Sequence, residues 1–348
     1  MVPGSFFMHA MNDHTTSASI VPAEELALRT EIEATFLHLP EARTCFAERE
    51  MRLRQLAAGH AMQDFLLFMA ELAHAQQEQL NGFAGAALPD AEAVTQAALL
   101  GRPPLPAEHW TRDPAWQQIV RALARSLRAH APEPAHEMLQ QLEEAEGDWL
   151  ELQADKLLHG IAYDLDMGAA PVIGAALQVY WTWMVDALAK RPQTDEQRVA
   201  PFGRIDDAKV CPCCGSKPVS SVVKAGAERG GQRYLQCSLC GSQWNMVRIK
   251  CTHCESTKGL QYHELELADV EHDESRARKA VVQAETCDEC GHYSKLIHAD
   301  RDVMADAVAD DLASLTLDLL VSESGKQRHG VNMMLLFGAA DPEAPGEA

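Results

Sequence analysis

Four Cys-x-x-Cys pairs fall within eighty residues of the chain: Cys211/Cys214, Cys237/Cys240, Cys251/Cys254 and Cys287/Cys290. A thiolate is a soft ligand, and two thiolates three residues apart grip one ion from a single tight turn. Tetrahedral all-sulfur sets hold zinc or iron. Eight thiols in four pairs therefore predict two such sites. Sequential grouping joins Cys211, Cys214, Cys237 and Cys240 around one ion and Cys251, Cys254, Cys287 and Cys290 around the other. It is the expected arrangement, because local hairpins are the commoner connection. The alternative is a crossed grouping, first pair with third and second with fourth.

Three of the pairs are followed by glycine, at Gly215, Gly241 and Gly291. A knuckle of this kind needs a residue at ease with positive φ, so that backbone N–H groups aim at the sulfurs. Cys211-Pro212-Cys213-Cys214-Gly215 has the C-P-x-C-G form of rubredoxin. Cys254 is followed by Glu255 instead, which predicts a less regular second site. The bland role for both ions is structural, replacing a core too small to fold alone. Redox use of the ions is the sharper alternative. Thioredoxin-like dithiol chemistry is disfavoured, since no pair follows a strand and opens a helix.

Other chemistry-bearing residues weigh less. Cys213 and Cys45 read as incidental thiols. His60, His74, His253 and His292 read as surface or packing residues, because eight cysteines already complete two tetrahedra. Asp310-Asp311 reads as a solvated helix face rather than a cation site. The chain shows no nucleophile–base motif, phosphate loop or dinucleotide fingerprint, so no catalytic residue and no organic cofactor site is expected.

These cysteines must be positioned by a chain of 348 residues, long enough for two domains. An apolar fraction of 47% is that of an ordinary globular protein. A net charge of −21 argues against a nucleic-acid coat or a membrane-surface protein. The ten cysteines are clustered in pairs, unlike the framework of a short secreted disulfide scaffold. No signal peptide is visible, Met8 and Met11 are candidate starts, and the run from Pro171 to Ala189 reads as a buried helix rather than a membrane span. The expected location is the cytoplasm.

Hydrophobic periodicity predicts helices from about Pro22 to Arg191. They include Phe46–Leu80 with a break at Gly59-His60, Pro114–Ala129 with Asp113 as N-cap, His136–His159 and Val172–Ala189. Strands are expected at Pro218–Val223, Gln232–Gln236, Trp244–Lys250 and Gln261–Leu267, and a last helix at Asp302–Val321. The fold class is thus α+β, an all-α domain followed by two tandem ribbons and a C-terminal helix. The expected boundaries are a disordered start at 1–21, a helical domain at 22–191 and a linker at 192–208. The ribbons occupy 209–250 and 251–300, followed by a C-terminal helix and extension at 301–338 and a disordered tail at 339–348.

The stretches CPCCGSKPVSSVV from Cys211, RYLQCSLCGSQWNMVRIKCTHC from Arg233, AETCDECGHYSKL from Ala284 and DVMADAVADDLASLTLDLL from Asp302 resemble the formate dehydrogenase accessory protein family FdhE. Weaker likeness covers RLRQLAAGHAMQDFLLFMAELAHAQ from Arg52 and AALQVYWTWM from Ala175. The resemblance implies a cytoplasmic, non-catalytic factor that associates with the catalytic subunit of a respiratory formate dehydrogenase. It implies rubredoxin-like folds in which the eight paired cysteines hold iron, with zinc as the alternative. Cys213 and the acidic C-terminal extension depart from the family pattern.

Two rival functions remain at this point. One is a ribbon-type nucleic-acid binder, and the other is a sulfur- or electron-transfer catalyst acting on the dehydrogenase cofactor. Charge weighs against the first. Residues 209–250 carry seven Lys/Arg against Glu228 alone, whereas residues 251–300 carry five against eleven acids. A dipolar pair of ribbons suits a protein partner better than a polyanion.

Overall fold

The computed structural model describes residues 35–192, 199–225, 231–265 and 280–335. The expected disordered termini, the turn at 226–230 and the insertion at 269–279 lie outside the described residues.

Helix α1 (Cys45–Ala57) and α2 (Gln63–Gly82) are parted at Gly59, which takes φ +74°. Then come α3 (Ala91–Leu99), α4 (Ala115–Arg128), α5 (Glu133–Glu144), α6 (Gly147–His159) and α7 (Ala170–Lys190). The sequence places one helix where α5 and α6 stand. They break at Ala145, whose carbonyl accepts Arg121 Nη2 at 2.9 Å instead of continuing a helical ladder. Asp113 Oδ1 accepts the Ala115 N–H at 2.9 Å, the capping contact expected at the start of α4.

Helix α7 is long and apolar enough to cross a membrane, yet most of it is buried in the protein, where α2, α4 and α6 pack around it. Its large side chains Tyr180, Trp181 and Met184 are all fully buried. Such an all-round apolar helix is the axis of a core.

The sheet runs in the order β1–β4–β3–β2–β7–β6–β5, with β8 beside β7. Its strands are β1 (Leu37–His38), β2 (Pro218–Lys224), β3 (Gln232–Cys237), β4 (Gln243–Asn245), β5 (Leu260–His263), β6 (Val282–Cys287), β7 (His292–His298) and β8 (Gln327–Arg328). Each ribbon is antiparallel. The two are fused by a parallel pairing of β2 with β7, Ser221 opposite Leu296 and Val223 opposite His298. A bidentate ion pair crosses the same seam. Arg233 of β3 donates to both carboxylate oxygens of Glu285 on β6, at 3.0 and 2.8 Å, and to Ser221 Oγ. Arg233 Nη1 also binds the carbonyls of Arg248 and Lys250. The segment expected as a strand through Lys250 is therefore wrapped around a guanidinium, and β4 stops at Asn245.

The expected C-terminal helix is two short ones, α8 (Ala309–Ala313) and α9 (Leu315–Glu323). Lys295 Nζ takes the carbonyls of Asp311 and Ser314 at 2.8 and 3.1 Å, and Ser314 Oγ takes that of Asp310 at 2.6 Å. Asp310 and Asp311 are not a solvated face. Both are buried, and their carboxylates face opposite halves of the molecule. Asp310 accepts Arg52 of α1 at 2.9 and 2.6 Å. Asp311 accepts Arg328 at 2.7 Å to each oxygen and lies 3.2 Å from Lys295. Successive helical residues project about 100° apart, so one short helix ties the helical half to the sheet.

Removing one partner of a buried pair strands the other charge, at a cost of about 3–5 kcal/mol. Arg52→Ala is predicted to lose stability on that scale in urea titration. Asp302→Asn, at the more exposed partner of Arg52, is predicted to lose less than about 1 kcal/mol.

Candidate metal centres

The eight sulfurs gather into two clusters, and the grouping is sequential. In the first, Sγ–Sγ distances are 3.5 Å for Cys211–Cys240, 3.4 Å for Cys214–Cys237 and 3.7 Å for Cys214–Cys240. In the second, Cys251–Cys290 and Cys254–Cys287 are each 3.7 Å apart. A tetrahedron with metal–sulfur bonds of about 2.3 Å has an edge of roughly 3.8 Å. The distances are far beyond a disulfide bond of about 2.05 Å. The donor set and its spacing fit one four-coordinate ion at each centre, and the crossed arrangement is excluded.

Each knuckle follows from its local sequence. The N–H two residues after Cys211, Cys237 and Cys251 points at that cysteine's sulfur, from Cys213, Leu239 and His253 at 3.4 Å. The chain then turns back, with Gly215, Glu255 and Gly291 donating to the carbonyls of Cys211, Cys251 and Cys287 at 2.8, 3.0 and 3.0 Å. The turn demands positive φ. Gly215, Gly241 and Gly291 take +76°, +75° and +72° without strain, and Glu255 takes +63° with a Cβ in place.

The centres differ in their surroundings. All four sulfur ligand candidates of the first are buried, whereas Cys254 of the second is exposed and Cys290 half-buried. The first is also gripped by the helical half. Leu105 and Ala107 donate backbone N–H bonds to the carbonyls of Cys213 and Cys214 at 3.1 and 2.9 Å. From α7, Gln178 Nε2 donates to the Ser238 carbonyl at 2.8 Å and Thr182 Oγ1 to that of Cys240 at 3.4 Å. Sequence reasoning missed these four positions. The available signal was Gln178 itself, a polar residue inside an apolar helix.

Burial pushes the Cys211 and Cys237 thiols well above the usual range, so binding an ion there displaces protons. Burial likewise raises Cys213, and it raises Cys45 to about 11, so neither is a nucleophilic thiolate at neutral pH.

Among the histidines, His60 Nε2 meets the Ala313 carbonyl at 2.9 Å and His74 Nδ1 meets Glu50 at 2.9 Å. His253 and His292 lie beside the second centre, where their donor atoms and Cys290 Sγ fall within 4.8 Å of one another. Their rings stack at 3.8 Å and 15°, with His329 edge-on at 4.9 Å. Imidazole lone pairs lie in the ring plane, so two near-parallel stacked rings do not converge on one ion. The stack is packing.

With this geometry in hand, three family models match along the chain: FdhE N-terminal at residues 34–197, FdhE central domain at 210–248 and FdhE C-terminal domain at 249–335. The chain belongs to the FdhE family. It is 40% identical over 303 residues to the FdhE homolog of Edwardsiella ictaluri, covering 87% of this chain and 92% of that one. It is 36% identical to the homolog of Serratia proteamaculans, covering 93% and 100%. The crystal structure of the FdhE protein from Pseudomonas aeruginosa superposes with a TM-score of 0.75 at 38% identity, over 87% of this chain and all of that one.

The asymmetry between the centres predicts two-phase metal release to a chelator, one ion fast and one slow. Cys254→Ser removes the fast phase and Cys214→Ser the slow one. Glu255→Gly relieves a positive-φ cost of about 1 kcal/mol and slows the fast phase about fivefold.

Proposed function

We propose that the chain is a non-catalytic maturation factor for a respiratory formate dehydrogenase, binding its catalytic subunit in the cytoplasm. The observation that carries this reading is the FdhE family match along the chain together with closure of both cysteine clusters. All eight cysteines ligate metal, one ion to each cluster. The ion is iron, with zinc as the alternative, because thiolate tetrahedra accept either and the Cys211–Gly215 knuckle has the rubredoxin form.

The surface supports a protein partner over nucleic acid. Of the basic residues in the first ribbon, Arg233 is buried against Glu285, and Lys250 pairs with Glu255. These cations are not free to neutralise phosphates, the basis of polyanion binding. A second reading, electron or sulfur transfer to the dehydrogenase cofactor, is favoured by one observation, the exposure of Cys254.

A strain lacking the gene is expected to make the dehydrogenase polypeptide but not to oxidise formate with its respiratory chain. The wild-type gene restores oxidation, and the Cys211→Ser and Cys237→Ser variants do not. Rescue by Cys254→Ser favours the scaffold over the transfer reading. Normal formate oxidation in the deletion strain, with no paralogue present, removes the proposal.

A further inference from the structure

A cleft of about 330 Å³ opens between α1, the sheet and the segment before α8. It abuts the first sulfur cluster, since Cys237 and residues of the turn that follows it to Gly241 are part of its lining. Its polar groups are not satisfied by one another. Arg49 is only 4% exposed, and its Nε and Nη1 have no hydrogen-bond partner among the described residues. Asp306 lies 3.4 Å from Nε, near enough for ion pairing but not aligned as an acceptor. The carboxylate of Asp306 is engaged elsewhere, accepting the N–H groups of Val308 and Ala309 at 3.0 and 2.7 Å.

Two further groups line the same space. Lys224 is half-buried, with its ammonium 5.3 Å from the centroid of the Tyr234 ring and with no carboxylate partner among the described residues. Burial lowers its pKa. Gln243 gives its amide N–H to Gln236 Oε1 at 2.6 Å, which leaves its own Oε1 buried without a donor. Glu41 and Glu48, the other acids of the lining, are exposed at the rim.

Buried polar groups are satisfied in folded proteins, and each exception asks for a missing partner. The Lys224 ammonium needs a negative partner, the Arg49 guanidinium needs an aligned acceptor beyond its ion pair with Asp306, and one amide oxygen needs a donor. A carboxylate with an amide N–H close by supplies all three. The volume suits a ligand of that size, at the lower end of small-molecule pockets. Water could fill the space but would leave the Lys224 ammonium without a counter-charge.

We propose that this cleft is a binding site for a carboxylate flanked by an amide N–H, as carried by an acidic residue in an extended peptide. Arg49 and Lys224 hold the carboxylate, and Gln243 Oε1 accepts the amide N–H. The proposal is independent of which enzyme the chain serves.

The test is titration calorimetry on the full metal-loaded chain with three probes: N-acetyl-aspartyl amide, N-acetyl-asparaginyl amide and sodium acetate. The aspartyl probe is expected to bind at least about tenfold more tightly than either of the others, as a charge-assisted contact plus an amide contact implies. Lys224→Met weakens it about fivefold, and Arg49→Met abolishes it. If Arg49→Met fails to fold, as judged by its melting transition, Lys224→Met decides. The proposal is overturned if no probe binds saturably, if the asparaginyl probe or acetate binds as well as the aspartyl one, or if Lys224→Met binds as wild type does.

Discussion

Four sulfurs held 3.4–3.7 Å apart in a dry interior are the constraint on which the first ribbon and its docking depend. As thiolates they would repel by roughly 5 kcal/mol per pair at an effective dielectric of about 20. A cation at the centre reverses that balance, and the surrounding chain is arranged to hold the sulfurs in place for it. β2 and β3 pair with Pro218 opposite Cys237, which brings the two knuckles face to face. The helical half then closes on their backs through carbonyls that the knuckles turn outward. Leu105, Ala107, Gln178 and Thr182 thus hold the cysteine turns from behind. Outer contacts of this kind fix ligand orientation as firmly as the ligands themselves.

The second centre is held differently. It belongs to the same sheet through β2 and β7, and the Arg233–Glu285 pair locks the seam between ribbons. Its Cys254 faces solvent. The C-terminal segment compensates by tying the far ribbon to the helices. Asp310 reaches Arg52, Asp311 reaches Lys295 and Arg328, and Lys295 also meets Asp318 at 2.5 Å. Buried ion pairs of this sort contribute little net stability compared with apolar packing, but they penalise any misplacement of the elements they join.

Cysteine spacing foretold the sulfur clusters more readily than the fold around them. Pairing of neighbouring knuckles follows from local hairpins, and Glu255 stands out in the sequence as the missing glycine. Helices α1, α2, α4 and α7 are legible because their apolar periodicity is long and uninterrupted. Several of the failures share one cause, side-chain contacts made across the fold. Arg233 pulls residues 248–250 away from a strand, Lys295 with Ser314 breaks the last helix, and Arg121 accompanies the break before α6. Asp310-Asp311 misled for the same reason, since their partners lie far away in sequence. Fusion of the ribbons by a parallel β2–β7 pair leaves no local mark, because the paired residues, such as Ser221 and Leu296, lie far apart in sequence.

Each ribbon depends on an all-sulfur tetrahedron of its own. X-ray absorption at the metal edge, on protein purified without added metal, tests that claim most directly. The predicted spectrum shows a single shell of about four sulfurs near 2.3 Å with no nitrogen or oxygen scatterer, at one ion for each cluster. A mixed sulfur–nitrogen shell would instead place an imidazole such as His253 or His292 on the metal. That outcome, or protein that folds fully with no metal at all, would contradict it.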